Sequence, residues 1–158
     1  MVKLSVLALD YDGTVTRNDA LDSTVRNAIS AVRASGITVL LVTGRILSEL
    51  RRVAGELHFV DGVVAENGAV VHFPSTGHTN RLAPAIPPAF LEELRAQGIP
   101  HRAGDCLVDA AAADAPRLLD VIRRLELPLV LLFNAGRVMI LGQGVSKALG
   151  QFASSASQ

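Results

Sequence analysis

The chain has 158 residues, enough for one ordinary core or two small ones built on each other. Hydrophobic residues make up 49% and charged residues 19%, which excludes bulk disorder, and 15 basic against 15 acidic residues leave no overall field that would favour nucleic acid or an anionic membrane. The single cysteine, Cys106, excludes an internal disulfide. No apolar run approaches the roughly 18 to 20 residues that span a bilayer, and the segment between Lys3 and Asp10 is too short for a secretory leader. The expectation is a soluble, cytoplasmic protein.

Residues 4–9 are a continuous apolar run, suited to a strand in a sheet covered on both faces. Asp10-Tyr11-Asp12-Gly13-Thr14 follows, delivering two carboxylates at i and i+2 into a Gly-Thr turn. Asp22 or Ser23 can cap a helix that runs to about Ser35, with Val25, Ala28, Ile29 and Val32 on one face and Gly36 as its stop. Ile37 to Val42 is a second apolar run, leading into Thr43-Gly44-Arg45. A helix with Ile46, Leu50, Val53, Ala54 and Leu57 as its inner stripe comes next. This alternation predicts a parallel sheet with right-handed crossovers. Gly62–Ala65 reads as a third strand, and Glu66-Asn67-Gly68 as a tight turn returning through Ala69 to Phe73.

Between Pro74 and Pro88 the composition shifts to four prolines with Ser75, Thr76, Gly77 and Asn80, which reads as a linker and a domain boundary. Beyond it come a helix from Pro88 to about Gln97, strands near His101–Ala103 and Cys106–Ala110, and a helix from Asp114 through Leu125. A hairpin of Leu129–Phe133 and Arg137–Leu141 around Asn134-Ala135-Gly136 closes this part. The order predicts a small α+β unit over residues 75–141, inserted into an α/β core formed by residues 1–74 and 142–158. Gly142 to Leu149 reads as a loop entering a last helix. It lacks the Gly-Lys-Ser/Thr ending of a phosphate loop.

Ligands of parallel α/β sheets bind beyond the carboxyl ends of the strands, and four features fall there. Asp10 and Asp12 follow the first strand. Thr43 ends the second, where its hydroxyl and a following N–H could hold an anionic oxygen, and Gly44 permits close approach. Lys147 opens the last helix, and Glu66-Asn67-Gly68 ends the third strand. These types suit phosphoryl transfer through an aspartyl-phosphate. One carboxylate attacks phosphorus, a Mg²⁺ ion and a lysine offset the charge repulsion, and a second carboxylate protonates the leaving oxygen and then activates water. Each residue also has a plainer reading. Thr43 could simply cap the following helix, Lys147 and Arg45 could be solvated charges, and Cys106 a small core residue. His58, His72, His78 and His101 show no metal-ligand spacing.

Asp10-Tyr11-Asp12-Gly13-Thr14, Leu41-Val42-Thr43-Gly44-Arg45 and Val145-Ser146-Lys147, in this order, resemble the haloacid dehalogenase superfamily of phosphatases. Glu66-Asn67-Gly68-Ala69 and the α+β insert ahead of the lysine resemble its Cof-type, IIB branch with a C2 cap. The resemblance covers roughly residues 4 to 150 and implies a Rossmannoid parallel core carrying an α+β cap. It implies Asp10 as nucleophile and Mg²⁺ ligand, and Asp12 as general acid/base whose backbone carbonyl also binds the metal. Thr43 would hold the phosphoryl group and Lys147 would neutralise nucleophile and phosphate. Gly13, Thr14, Gly44, Arg45 and Asn67 would be nearby substrate-binding or cap-contacting positions. The implied substrate is a small phosphorylated metabolite of the phosphoglycolate or sugar-phosphate class.

One departure stands out. Those phosphatases carry a Gly-Asp strand with a further Asp after the lysine, which completes the Mg²⁺ site, whereas none of the eleven residues after Lys147 is acidic. Gly104-Asp105-Cys106-Leu107-Val108-Asp109 has a similar look but lies inside the predicted cap and alternates like a strand. The family's missing strand would lie beside the first one, so residues 4–9 are expected to form an unpaired apolar edge. A longer parent protein, a homo-oligomer that covers the edge, or a weakened enzyme acting as a phosphate-ligand or protein-binding module each accommodate this. The first is favoured. A receiver-like phosphoacceptor module shares the Asp and Lys but leaves the insert unexplained.

Overall fold

The computed structural model describes residues 5–16 and 21–145. They divide into two compact units, the first ending at Leu82 and the second running from Ala83 to Val145.

In the first unit, β1 (Val6–Asp10), β2 (Thr38–Val42), β3 (Gly62–Ala65), β4 (Val70–Phe73) and β5 (His78–Arg81) form one sheet in that order. The first three strands run parallel and the last two antiparallel to their neighbours. Register does the functional work. Asp10 pairs with Val42 and Val42 with Val64, so the carboxyl ends of three strands finish level. Val39, Leu40, Leu41 and Val42 are each at most 3% exposed and β3 is buried throughout. Side chains buried this fully contribute about 1.5–3 kcal/mol apiece. β1 departs from the expectation of a strand covered on both faces: it is only half-buried, Ala8 is exposed, and among the described residues it pairs with β2 alone. An edge strand has one neighbour fewer to cover it.

Helix α1 (Ser23–Ala34) starts where the Asp22 carboxylate accepts the Thr24 N–H at 2.8 Å, satisfying one of the orphan donors of a helix start. Its Arg33 donates to Asp61 Oδ1 through Nε and Nη2 at 3.0 and 2.7 Å, while Asp61 Oδ2 accepts the Val39 N–H at 2.8 Å. One carboxylate thus joins α1, β2 and the approach to β3. Helix α2 (Leu47–Ala54) buries Leu47, Leu50 and Ala54.

The stretch expected to be a linker after residue 74 is partly sheet. His78–Arg81 folds back on β4, with Phe73 paired to His78 and Val70 to Arg81. Its polar sequence carries no apolar alternation, because β5, an edge strand among the described residues, is held by main-chain pairing rather than by burial. The division between units accordingly falls after Leu82.

The second unit holds α3 (Pro88–Ala96), β6 (His101–Ala103), β7 (Leu107–Ala111), α4 (Ala115–Arg124), β8 (Leu129–Asn134) and β9 (Arg137–Gly142). Its antiparallel sheet has the order β6-β7-β9-β8, and Phe90, Leu94, Leu118 and Val121 from the helices pack on Val108, Ala110, Val138 and Ile140. Positive φ at both Ala135 (44°) and Gly136 (80°) makes the tight β8–β9 turn. Asp109 is paired with Arg137 at 2.6 Å and Arg102 at 3.4 Å, so the motif that looked like a displaced acidic pair forms a cross-strand ion cluster. Cys106 is buried and donates to the Ala83 carbonyl.

His72 on β4 is 3% exposed. Its Nδ1 lies 2.8 Å from Thr79 Oγ1 and its Nε2 2.9 Å from Arg51 Nη2. Burial first, then the Arg51 guanidinium, hold its pKa below the ordinary 6.5. The unfolded chain therefore binds a proton that the folded chain refuses. The stability His72 lends is complete above the unfolded pKa and falls as the pH drops below it. Between about pH 7.5 and 5.5 the thermal midpoint is expected to fall further for the wild type than for His72→Gln, as differential scanning fluorimetry would show; parallel curves would contradict this.

Candidate functional site

The chain leaves β1 through a tight turn. Asp12 has φ −78° and ψ 120°, and Gly13 has φ 74° and ψ −5°, the pair of values of a type II turn, whose third position needs a positive φ. Strand alternation sets Tyr11 opposite its two acidic neighbours: Tyr11 is fully buried, whereas Asp10 and Asp12 are exposed. The Tyr11 carbonyl accepts the Thr16 hydroxyl at 3.1 Å, closing the turn.

Thr43 is fully buried at the end of β2. Its N–H donates to the Val64 carbonyl at 2.9 Å and its own carbonyl accepts the Asn67 N–H at 3.3 Å, so the residue is locked between strands. Its hydroxyl accepts the Arg45 N–H at 3.0 Å and donates to Asp12 Oδ2 at 3.1 Å. The other carboxylate oxygen, Asp12 Oδ1, accepts Arg45 Nε at 2.8 Å and Nη2 at 2.7 Å. Arg45 also stands over the Tyr11 ring, 5.5 Å from its centroid, within cation–π range. The Arg45 carbonyl accepts the Glu66 N–H at 3.0 Å. Three strand ends are therefore stitched together through Thr43 and Arg45.

The turn after β3 is strained: Glu66 and Asn67 take φ values of 52° and 59° ahead of Gly68 at 97°. Non-glycine residues in the left-handed region cost of order 1–3 kcal/mol each and persist where the surroundings over-determine them. Glu66 is 1% exposed.

The structure thus brings Asp12, Thr43 and Arg45 into contact, with Asp10, Gly13, Gly44 and Asn67 on the same strand ends. Thr14 lies in the β1 turn. Lys147 and the expected last helix lie outside the described residues. Sequence reasoning missed two neighbours. Tyr11 forms the floor under Arg45, and its alternation with two acidic residues was the available signal. Glu66, in a segment already singled out, proves to be the buried member of its turn. Among the described residues no group of three or more His, Cys, Asp or Glu side chains could hold a metal.

The sequence profile of the haloacid dehalogenase-like hydrolases matches residues 7–100. The chain belongs to that family. The YxeH protein of Bacillus subtilis strain 168 is 38% identical over 82 residues, 49% of this chain and 29% of that protein. The phosphoglycolate phosphatase of Archaeoglobus fulgidus is 40% identical over 78 residues, 49% of this chain and 34% of that enzyme. The matched part of the chain is about a third of the length of these curated relatives. In fold, a haloacid dehalogenase-like hydrolase from Bacteroides thetaiotaomicron superposes with a TM-score of 0.74 at 16% identity, over 98% of this chain and 77% of that one. A subclass IIB sugar phosphatase gives 0.66 at 15% identity, over 97% and 75%. The expected Rossmannoid α/β core with an α+β insert is borne out.

A Cβ built on Gly13 meets nothing within 4 Å, so substitution there is penalised by the positive φ and not by collision. Gly13→Ala is expected to lower unfolding free energy by about 1 kcal/mol, read from urea denaturation. An unchanged midpoint would mean that the turn tolerates another conformation.

Proposed function

We propose that this chain carries the phosphoryl-transfer site of a Mg²⁺-dependent phosphomonoester hydrolase acting on a small phosphorylated metabolite, of the phosphoglycolate or sugar-phosphate class. The observation that supports this most is the Asp12–Thr43–Arg45 cluster beside Asp10, at level strand ends of a haloacid dehalogenase-like fold. In this reading an Asp10 carboxylate oxygen attacks phosphorus and the ester P–O bond breaks. Asp12 gives its proton to the departing oxygen. Asp12 then takes a proton from water as that water attacks the aspartyl-phosphate, releasing inorganic phosphate and restoring Asp10. Thr43 donates to a phosphoryl oxygen, and Lys147 neutralises charge on nucleophile and phosphate.

The donor set suits Mg²⁺ in part. Asp10 offers an exposed carboxylate and the adjacent turn offers main-chain oxygens, consistent with a hard cation that takes one or two carboxylates and keeps water or phosphate for its remaining positions. Asp10 and the Asp12 carbonyl would hold it, and bound Mg²⁺ would supply electrostatic offset to the phosphoryl charge. Gly13, Thr14, Gly44 and Asn67 are proposed to border the phosphoryl group, and the unit Ala83–Val145 takes the cap role. We place the protein in the cytoplasm; no helix among the described residues is long and apolar enough to cross a membrane.

A second reading draws on β1 being an edge strand among the described residues: a weakly active module that binds phosphate ligands or a partner strand, whether from a second copy or a C-terminal segment. Turnover of p-nitrophenyl phosphate with Mg²⁺ separates the two. Asp10→Asn is expected to reduce kcat/KM by at least about a thousand-fold. Turnover that is absent in the wild type, or that survives Asp10→Asn, favours the second reading.

A further inference from the structure

We propose that Arg45 is a positioning residue that acts through Asp12, and that it does not bind the substrate's phosphoryl group. The inference rests on the reading of Asp12 as the group that exchanges a proton with the ester oxygen. The physical reason lies in how many protons each partner of Asp12 has to give. The Thr43 hydroxyl has a single proton, directed at Asp12 Oδ2. When a phosphoryl oxygen takes that proton, Thr43 no longer holds the carboxylate. The Asp12 side chain is 44% exposed, so its contacts with Thr43 and Arg45 are what orient it. What remains is the guanidinium, which holds Oδ1 through Nε and Nη2 together.

Arg45 is itself unusually well fixed for this task. Its N–H is bonded to Thr43 Oγ1 and its carbonyl to the Glu66 N–H, so its backbone cannot swing. Its guanidinium stands over the ring of Tyr11, which is fully buried and supplies an immobile floor. A group held from three sides and directed at one carboxylate oxygen is an orienting device. Nε and Nη2 both go to Asp12 Oδ1, so turning either toward substrate would loosen the proton-transfer carboxylate just as Thr43 leaves it. Thr43 is therefore the partner that changes hands on substrate entry, and Arg45 the one that stays.

The test is a double-mutant cycle in the full chain with p-nitrophenyl phosphate, together with inorganic phosphate binding by calorimetry. Since general acid–base catalysis supplies about 10²–10⁴-fold, Arg45→Gln is expected to lower kcat by about 10- to 100-fold with KM changed less than about threefold. Arg45→Lys should recover part of that loss, because an ammonium reaches Oδ1 as a point charge without the fork. In an Asp12→Asn background the Arg45→Gln change should have little further effect, within about twofold. Inorganic phosphate should bind Arg45→Gln within about threefold of wild type. A raised KM with kcat preserved, an equal loss in both backgrounds, or phosphate affinity weakened by more than about tenfold would each overturn the proposal. Circular dichroism checks each fold; where Arg45→Gln unfolds, the kcat and the phosphate titration of Arg45→Lys decide by the same criteria. Asp10→Asn run alongside reports on the phosphatase reading separately, and phosphate binding reads the role of Arg45 even where turnover is absent.

Discussion

The carboxyl ends of β1 and β2 in the first unit meet at one shared carboxylate. Asp12 sits on the turn after β1, Thr43 and Arg45 sit on the turn after β2, and both oxygens of Asp12 are claimed across that gap. Parallel strands have no tight hairpin to join their carboxyl ends, because their connection runs through a crossover at the far side. Side chains supply the cross-link from Asp12 to Thr43 and Arg45, and main-chain bonds carry it onward. Thr43 extends it to β3 through Val64 and Asn67, and Arg45 through Glu66. The chemistry proposed for this end and the mechanical joining of three strands use the same groups.

This double use accounts for the backbone of the third turn. Glu66 and Asn67 both lie in the left-handed region, an arrangement that local preference disfavours. In return, two consecutive N–H groups face the second turn, one donating to Arg45 and one to Thr43. Such a conformation persists only where surrounding bonds determine it. Here the bonds are visible.

Much of this was legible in the amino-acid order. Ile37 to Val42 and Gly62 to Ala65 read as strands, and Thr38–Val42 and Gly62–Ala65 are strands, buried almost throughout. Asp22 or Ser23 read as the cap, and it is the Asp22 carboxylate that meets the Thr24 N–H. The alternation of helix and strand predicted the parallel core, and Asp10, Asp12 and Thr43 fell at strand ends because polar residues followed apolar runs. What was not legible depends on long-range pairing. His78–Arg81 has no strand pattern, since main-chain bonds to β4 hold it. The burial of Tyr11 follows from alternation only once β1 is known to end at Asp10. That Arg45 meets Asp12 needs the β1–β2 register, which no local pattern encodes.

Among the described residues β1 is an edge strand, which makes the turn after it the decisive element. The nucleophilic role proposed for Asp10 requires a carboxylate held to within a fraction of an ångström, yet the strand that carries Asp10 is the least covered of the three parallel ones. Precision must come from the residues just beyond Asp10. Tyr11, wholly buried, anchors the chain one residue on, and the Asp12–Gly13 turn redirects it at once. Arg45 over the Tyr11 ring then couples that anchor to Asp12 itself. The two carboxylates are thus placed by the aromatic residue between them more than by the strand before them. Shortening Tyr11 would loosen both, even though its side chain faces away from each.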